Sequence, residues 1–192
     1  MKRALVLWVG LSLGGGCATT GTPEMQVTSA FTDELGRHFD DAVDYVEDAD
    51  QLGGRVASDW RRQIGTLSEH SDLIVQVRIE TLNSGVDASG TANYRLTAVA
   101  AGRPLRGAMP RDDRVDLRVS AGEVGYNTVH NNEQRLQAPE RRFLLFVKWA
   151  EDGARVRARW HLTPHSRAVE ARVRDTIGYL DGNAPRETVV RR

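Results

Sequence analysis

The chain has 192 residues, of which 40% are hydrophobic and 27% are charged, and its 26 basic and 26 acidic residues cancel to a formal charge of zero. This length suits one globular domain with appendages and a core that needs neither disulfides nor metals. Because the net charge is zero, overall electrostatic attraction gives no reason to expect nucleic acid or an anionic membrane surface as the partner.

Residues 1–16 predict a signal peptide. Lys2 and Arg3 precede a short apolar stretch, which ends in small residues before Cys17. The stretch is too short to span a bilayer as a permanent helix, so we expect it to be cleaved. Cys17 is the only cysteine and cannot form an intramolecular disulfide, so a lone thiol in an exported chain needs another use.

The stretch "LGGGC" that ends at Cys17 resembles the lipobox of bacterial lipoproteins. The resemblance implies that Cys17 becomes the first residue of the mature chain and carries the acyl chains, such as palmitate, that form a membrane anchor. Ala18 after the cysteine implies the outer membrane, with the protein on its periplasmic side. Several acyl chains on one residue anchor a protein firmly. Residues 17–28 are small and polar and predict a lipidated tether.

Residues 29–70 predict an acidic helical hairpin. Apolar residues recur every three or four positions, which makes one stripe on each of two helices. The stripes are Phe31, Leu35, Phe39, Val43 and Val46, and, after a break at Gly53 and Gly54, Val56, Trp60, Ile64 and Leu67. Acidic residues fill the other faces of the first helix.

Residues 71–163 predict an antiparallel β domain, because apolar and polar residues alternate in five short segments. The last two segments flank Asp152 and Gly153, which predict a two-residue hairpin turn. That turn would pair Trp149 with Val156 and place the apolar residues of both strands on one face.

Four of these segments, "SDLIVQVRIETL", "YRLTAVAAGRPLRG", "RVDLRV" and "RFLLFVKWAEDG", resemble successive strands of netrin-like domains. Netrin-like domains are five-stranded OB-type barrels, so the resemblance implies an OB-like barrel over residues 72–162. The alternation alone also allows an open antiparallel sheet. Closure into a barrel is favoured because it removes exposed strand edges.

Residues 164–182 predict a C-terminal helix, with Thr163 as its N-cap and Pro164 at its first position. Residues 183–192 predict a loose tail. The fold class expected for the whole chain is therefore α+β.

The run "RVRARWH" places four basic side chains, which we call the basic row, on one face of a strand, and two more basic residues lie on the neighbouring strand. The six residues are Arg155, Arg157, Arg159, His161, Arg142 and Lys148. One use is internal, because residues 24–80 carry a net charge of −8 and residues 81–192 carry +6. The other is a partner, either another envelope protein or an anionic envelope component. We do not expect nucleic acid, because only Phe146 on this face could stack on a base.

The chain contains no nucleophile elbow, phosphate-binding loop or zinc-protease motif. Asp48, Asp50, Gly53 and Asp59 have part of the spacing of a calcium loop, but Arg55 lies among them, so we expect neither metal nor cofactor. We therefore expect a non-catalytic binding or scaffolding subunit of a cell-envelope assembly. The alternative is a hydrolase acting on envelope polymers, with His130 and its loop as the site.

Overall fold

A computed structural model of the chain describes residues 27, 29–48, 51–110, 112–153 and 155–183. The predicted signal peptide, Cys17, all of the tether except Val27, and the tail beyond Asn183 lie outside the described residues. The elements are α1 (Asp33–Gly36), β1 (Ala42–Val43), α2 (Gly54–His70), β2 (Leu73–Val86), β3 (Ala92–Ala100), β4 (Arg114–Ser120), α3 (Tyr126–His130), α4 (Glu133–Leu136), β5 (Phe143–Asp152), β6 (Arg155–Pro164) and α5 (Arg167–Asn183).

The fold is α+β, as predicted, and its sheet has six strands in the order β1-β6-β5-β2-β3-β4. The neighbours are antiparallel except for β1, which runs parallel to β6. All five predicted strands are present, and β1 is an additional one. The sheet curls into a half-barrel that stays open between β4 and β6, so the five-stranded OB barrel is not confirmed.

Two apolar clusters lie on the two sides of this sheet. The inner cluster fills the half-barrel and includes Val129 and Leu136, through which the short helices α3 and α4 close one end. The outer cluster packs α2 and α5 against Ile74, Leu144 and Phe146. The predicted stripe of α2 therefore faces the sheet, although Val56 at the start of the helix is 62% exposed.

The prediction of an acidic helical hairpin is wrong in its first helix. Only α1 is helical there, and the chain then runs extended as β1 along the edge of the sheet. Phe39 belongs to the outer cluster and Val43 to the inner cluster, whereas a helix would place two residues four apart on one face. An extended segment can bury side chains on both sides of the sheet. The second helix of the hairpin is present as α2.

The predicted register of the last hairpin is wrong by two residues. Trp149 pairs with Ala158 rather than with Val156, and the turn begins after Asp152. Gly153 adopts φ 62°, a left-handed conformation that favours glycine, and it is the first residue of the turn rather than the second. The assignment of faces survives, because a shift of two residues preserves the alternation of side chains.

The C-terminal helix begins later than predicted. Pro164 is the last residue of β6, and the Thr163 hydroxyl donates to Asp44 instead of capping the helix. Ser166 performs the capping, because its side chain accepts a hydrogen bond from the amide of Val169 at 3.2 Å.

Candidate functional site

Asp41 neutralises the middle of the basic row from within the same chain. Its Oδ2 lies 2.9 Å from Arg157 Nη2 and 3.1 Å from Arg159 Nε, and its Oδ1 accepts a hydrogen bond from the Trp160 amide at 3.0 Å. Arg157 also lies 3.1 Å from Glu123 Oε1. The two arginines are therefore held by internal carboxylates.

Asp41 is completely buried and adopts φ 54°, an uncommon conformation for a residue other than glycine. Burial raises the pKa of Asp41 to about 7, although Arg159 and Arg157 act in the opposite direction. The backbone of Asp41 is also tightly enclosed, because a Cβ on Gly125 would lie only 1.9 Å from its carbonyl oxygen. The contacts of Asp41 with Arg157, Arg159 and Trp160 join the segment of β1 to β6, and we call them the Asp41 clamp.

His161 forms a second clamp at the end of the basic row. Its Nδ1 lies 2.9 Å from Asp40 Oδ1, and its Nε2 lies 3.2 Å from Asp44 Oδ2. Burial lowers the pKa of His161, but the hydrogen bonds to both carboxylates outweigh that effect and raise the pKa to about 9. A protonated imidazole donates from both nitrogens, so it satisfies both carboxylates at once. Asp44 also accepts a hydrogen bond from Trp60 Nε1 at 3.1 Å, which connects α2 to the clamp.

The other three predicted binding residues have different surroundings. Lys148 is buried, and its Nζ lies 2.8 Å from Asp72 Oδ1. Arg142 donates to the carbonyls of Pro139 and Arg141, away from the basic row. Arg155 is exposed and forms no ion pair within the part of the chain that the structure describes.

A cleft of about 780 Å³ lies where the half-barrel is open, between β4 and β6. Apolar side chains of the inner cluster form its floor, including Val115, Trp149 and Val156. Its rims are charged: β4 carries both acidic and basic residues, whereas β6 carries only the basic residues Arg155 and Arg157. The charged lining residues are Glu80, Asp112, Arg114, Asp116, Arg118, Asp152, Arg155 and Arg157.

Side chains of β6 close one end of this cleft. The carbonyl of Arg118 on β4 accepts hydrogen bonds from Trp160 Nε1 at 3.1 Å and from Arg157 Nη2 at 3.2 Å. β4 therefore contacts β6 through side chains at this end, whereas no backbone ladder joins the two strands. Towards Asp112 and Arg155 the strands line an open cavity.

A separate polar cluster lies in the loop that contains His130. The Tyr94 hydroxyl donates a hydrogen bond to Glu133 and lies 2.7 Å from His130 Nδ1, and the Tyr126 ring stacks on the imidazole. Burial and the neighbouring Glu133 raise the pKa of Tyr94 to about 12, so its hydroxyl stays protonated at neutral pH. His130 is half exposed and borders an open pocket.

Among the described residues, no group of three or more His, Cys, Asp or Glu side chains is placed to hold a metal ion. In the stretch that partly matches a calcium loop, Asp59 forms exposed ion pairs with Arg55 and Arg62. None of the described helices combines the length and apolar character needed to cross a membrane.

No protein-family model matches the chain, and no curated protein or solved structure is significantly similar to it.

The alternation of the sequence identified the basic row but not its acidic partners, nor the cleft beside it. The opposite charges of the two parts of the chain were the signal for the internal pairing. They did not indicate which carboxylates take part, because these come from the residues on either side of β1, from the loop before α3 and from the residue before β2. The Tyr94 cluster joins residues 39 positions apart and has no local signal.

Proposed function

We propose that this protein is a lipoprotein, tethered through Cys17 to the periplasmic side of the outer membrane, that acts as a non-catalytic binding or scaffolding subunit of a cell-envelope assembly. The observation that carries the proposal is the cleft between β4 and β6, where a partner has access to the apolar floor beside Trp149 and Val156. Apolar floors with charged rims are typical of binding surfaces.

The internal ion pairs support the cleft over the whole basic row as the binding surface. Arg157, Arg159, His161 and Lys148 are engaged by carboxylates of the same chain. A partner that took these cations would have to leave buried carboxylates unpaired, which is unfavourable. Arg155 is the member of the predicted set that lies on the cleft rim without such a partner.

The anchor is tested by replacing Cys17 with serine and fractionating the cells. We expect the wild-type chain in the membrane fraction and the C17S chain in the soluble fraction, because the acyl chains can no longer be attached. Equal membrane retention of both chains would contradict the lipid anchor. The result does not depend on the binding site.

The cleft is tested by photocrosslinking in intact cells. A photoreactive residue at Asp116 or Arg155 lies on the rim, whereas one at Tyr179, which is 71% exposed on α5, serves as the control. We expect one defined adduct from the rim positions. The V156W variant, which fills the floor, should lose this adduct, and V86W, which adds the same side chain at a position 68% exposed, should keep it. Identical adducts from rim and control positions would contradict the proposal.

The hydrolase alternative is favoured by one observation, the cluster of Tyr94, His130 and Glu133 beside an open pocket. Histidine can act as a general acid or base at neutral pH. The H130A variant should abolish the release of fragments from purified peptidoglycan or other envelope polymers if this alternative holds. It should leave the cleft-dependent photoadduct intact if the protein is a binding subunit.

A further inference from the structure

We propose that the cleft binds an extended segment of a partner polypeptide, which is added as a β-strand between β4 and β6. The inference rests on the proposed function and names the chemistry of the partner that the cleft would recognise. It follows from the backbone groups at the two rims, which belong to stretches of strand edge that no strand of the described residues covers.

On β4, the hydrogen-bonding pattern shows which backbone groups face the cleft. Ala100 donates to the carbonyl of Asp113, and Ala121 donates to the carbonyl of Ala92, so the odd-numbered residues of β4 pair with β3. Because successive residues alternate in direction, the amides and carbonyls of Arg114 and Asp116 point away from β3, towards the cleft. The Arg118 carbonyl, which accepts from β6 side chains, has this same outward direction.

On β6, the backbone amides and carbonyls of the even-numbered residues point away from β5 by the same reasoning. The amide of His165 donates to the carbonyl of Arg142, which places the odd-numbered residues against β5. The outward groups of Trp160 are taken by Asp41, through its carboxylate and its backbone amide. β1 pairs with β6 only at His161 and Leu162, so it leaves the outward groups of Val156 and Ala158 beside the cleft.

Two uncovered edges that face one cavity are the arrangement that strand addition requires, because main-chain hydrogen bonds supply affinity and alternate side chains supply specificity. Strands in a sheet lie about 4.8 Å apart and rise about 3.3 Å per residue. Because β6 side chains already occupy the Arg118 carbonyl, the stretch open to a new strand includes the outward groups of Arg114 and Asp116, which accommodates about three or four residues of an extended segment. An added strand would extend the half-barrel towards closure, which its own six strands do not achieve.

The two sides of the cleft define the side chains of the segment. One set of alternate side chains would point inward onto Trp149 and Val156, and these should be apolar. The other set would point outward, between the charged rims. Most rim cations already have carboxylate partners, such as Glu80 for Arg114 and Asp87 for Arg118, and Arg155 does not. We therefore expect an acidic side chain in the segment opposite Arg155.

The test uses the full chain, isolated in detergent, and random ten-residue peptides displayed on phage. Peptides are selected on the wild-type chain after depletion on V156W, with circular dichroism as the check that V156W is folded. We expect recovered peptides to alternate in hydrophobicity, to contain an acidic residue, and to bind V86W as they bind the wild type. R155E should weaken the binding of acidic peptides about tenfold and restore it for peptides in which the acid is replaced by lysine.

Methylation of peptide amides separates strand addition from recognition by side chains alone. A strand that lies between two edges uses the amides of successive residues, so single N-methylation at either of two adjacent central positions should weaken binding at least tenfold. In amide exchange measured by NMR, the amides of Asp116 and Ala158 should become protected when the peptide binds. Equal binding of methylated and unmethylated peptides, or failure to recover any peptide that distinguishes wild type from V156W, overturns the inference.

The outcomes also separate this inference from the proposed function. Suppose that V156W abolishes the photoadduct, but that no peptide is selected or that the selected peptides are insensitive to methylation. The cleft is then a binding site for a partner that does not add as a strand. If V156W keeps both the photoadduct and peptide binding, the cleft is not the binding site, and both the proposed function and strand addition are refuted.

Discussion

The two halves of β6 have the same alternating sequence and different surroundings. In the C-terminal half, β1 lies beside the strand, Asp41 pairs with the half-buried Arg159, and the buried His161 is held by Asp40 and Asp44. In the N-terminal half, none of the strands that the structure describes covers the outer edge, and Arg155 is exposed beside an apolar floor. The basic row therefore has two parts with different roles. Its C-terminal part holds the fold together, and its N-terminal part is accessible to a partner.

The difference has a physical cause in the path of the N-terminal segment. Acidic side chains at positions 40, 41 and 44 reach β6 only where Gly125 allows the backbone of β1 to pass closely. Beyond that point the chain continues to α2, and Glu47 pairs with Arg141 rather than with a residue of β6.

Removing the Asp41 carboxylate should have the largest effect on stability. In D41A, measured at pH 8 where the carboxyl of Asp41 is ionised, Arg157 and Arg159 lose a buried counter-charge and the Trp160 amide loses its acceptor, so the free energy of unfolding should fall by about 3–5 kcal/mol. Chemical denaturation followed by circular dichroism measures the change. D116A removes an exposed aspartate from the cleft rim and should stay within about 0.5 kcal/mol of wild type. Equal losses in both variants would contradict the distinction between clamp and rim.

The raised pKa values of His161 and Asp41 predict that the free energy of unfolding falls as the pH rises. The folded-state pKa of His161, about 9, lies above its ordinary value of 6.5, so its stabilisation is complete below pH 6.5 and is lost as the pH rises through 9. The loss should be roughly 3 kcal/mol. The raised pKa of Asp41 acts in the same direction at lower pH, because its contribution is lost between about 4 and 7.

Denaturation curves at several pH values test this prediction. H161Q should flatten the profile between pH 6.5 and 9 and should leave the fall at lower pH unchanged, since Asp41 is intact. A wild-type profile that rises over this upper range, or an H161Q profile parallel to it, would show that His161 does not act as a protonated clamp.

The close approach at Gly125 should have an intermediate effect. In G125A the new Cβ would lie 1.9 Å from the Asp41 carbonyl oxygen, so β1 must shift, and we expect a loss of about 1–3 kcal/mol in unfolding free energy. G178A is the matched control, because it makes the same change in α5, where no atom lies within 4 Å. It should be neutral or stabilise by up to about 1 kcal/mol. Similar thermal midpoints for the two variants would refute the role of Gly125.

Charge reversal at Arg155 should have the smallest effect on stability. R155E changes an exposed side chain and should alter the free energy of unfolding by no more than about 0.5 kcal/mol. R159E places a second carboxylate against Asp41 and should be far less stable. Parallel denaturation of the two variants measures this contrast, and equal stability would mean that the two halves of β6 do not differ.

Local patterns predicted the elements whose burial depends on their own periodicity. The stripe of Trp60, Ile64 and Leu67 and the alternation of Phe143 to Trp149 each require one face to be buried, and each is buried. The same reasoning failed for Phe39 and Val43. Their spacing of four fits a helix, but an extended strand that passes the sheet edge satisfies both residues in different clusters.

Which side chains share a face of β5 and β6 follows from the amino-acid order alone, because the alternation of a strand is fixed by its covalent geometry. The charge difference between the two parts of the chain, from which we expect internal pairing, is also a property of the sequence. Which cations are paired, and where the sheet stays open, depends on the folded chain. Asp41 and Arg157 are 116 residues apart, and such contacts depend on how the whole chain folds back rather than on any local pattern.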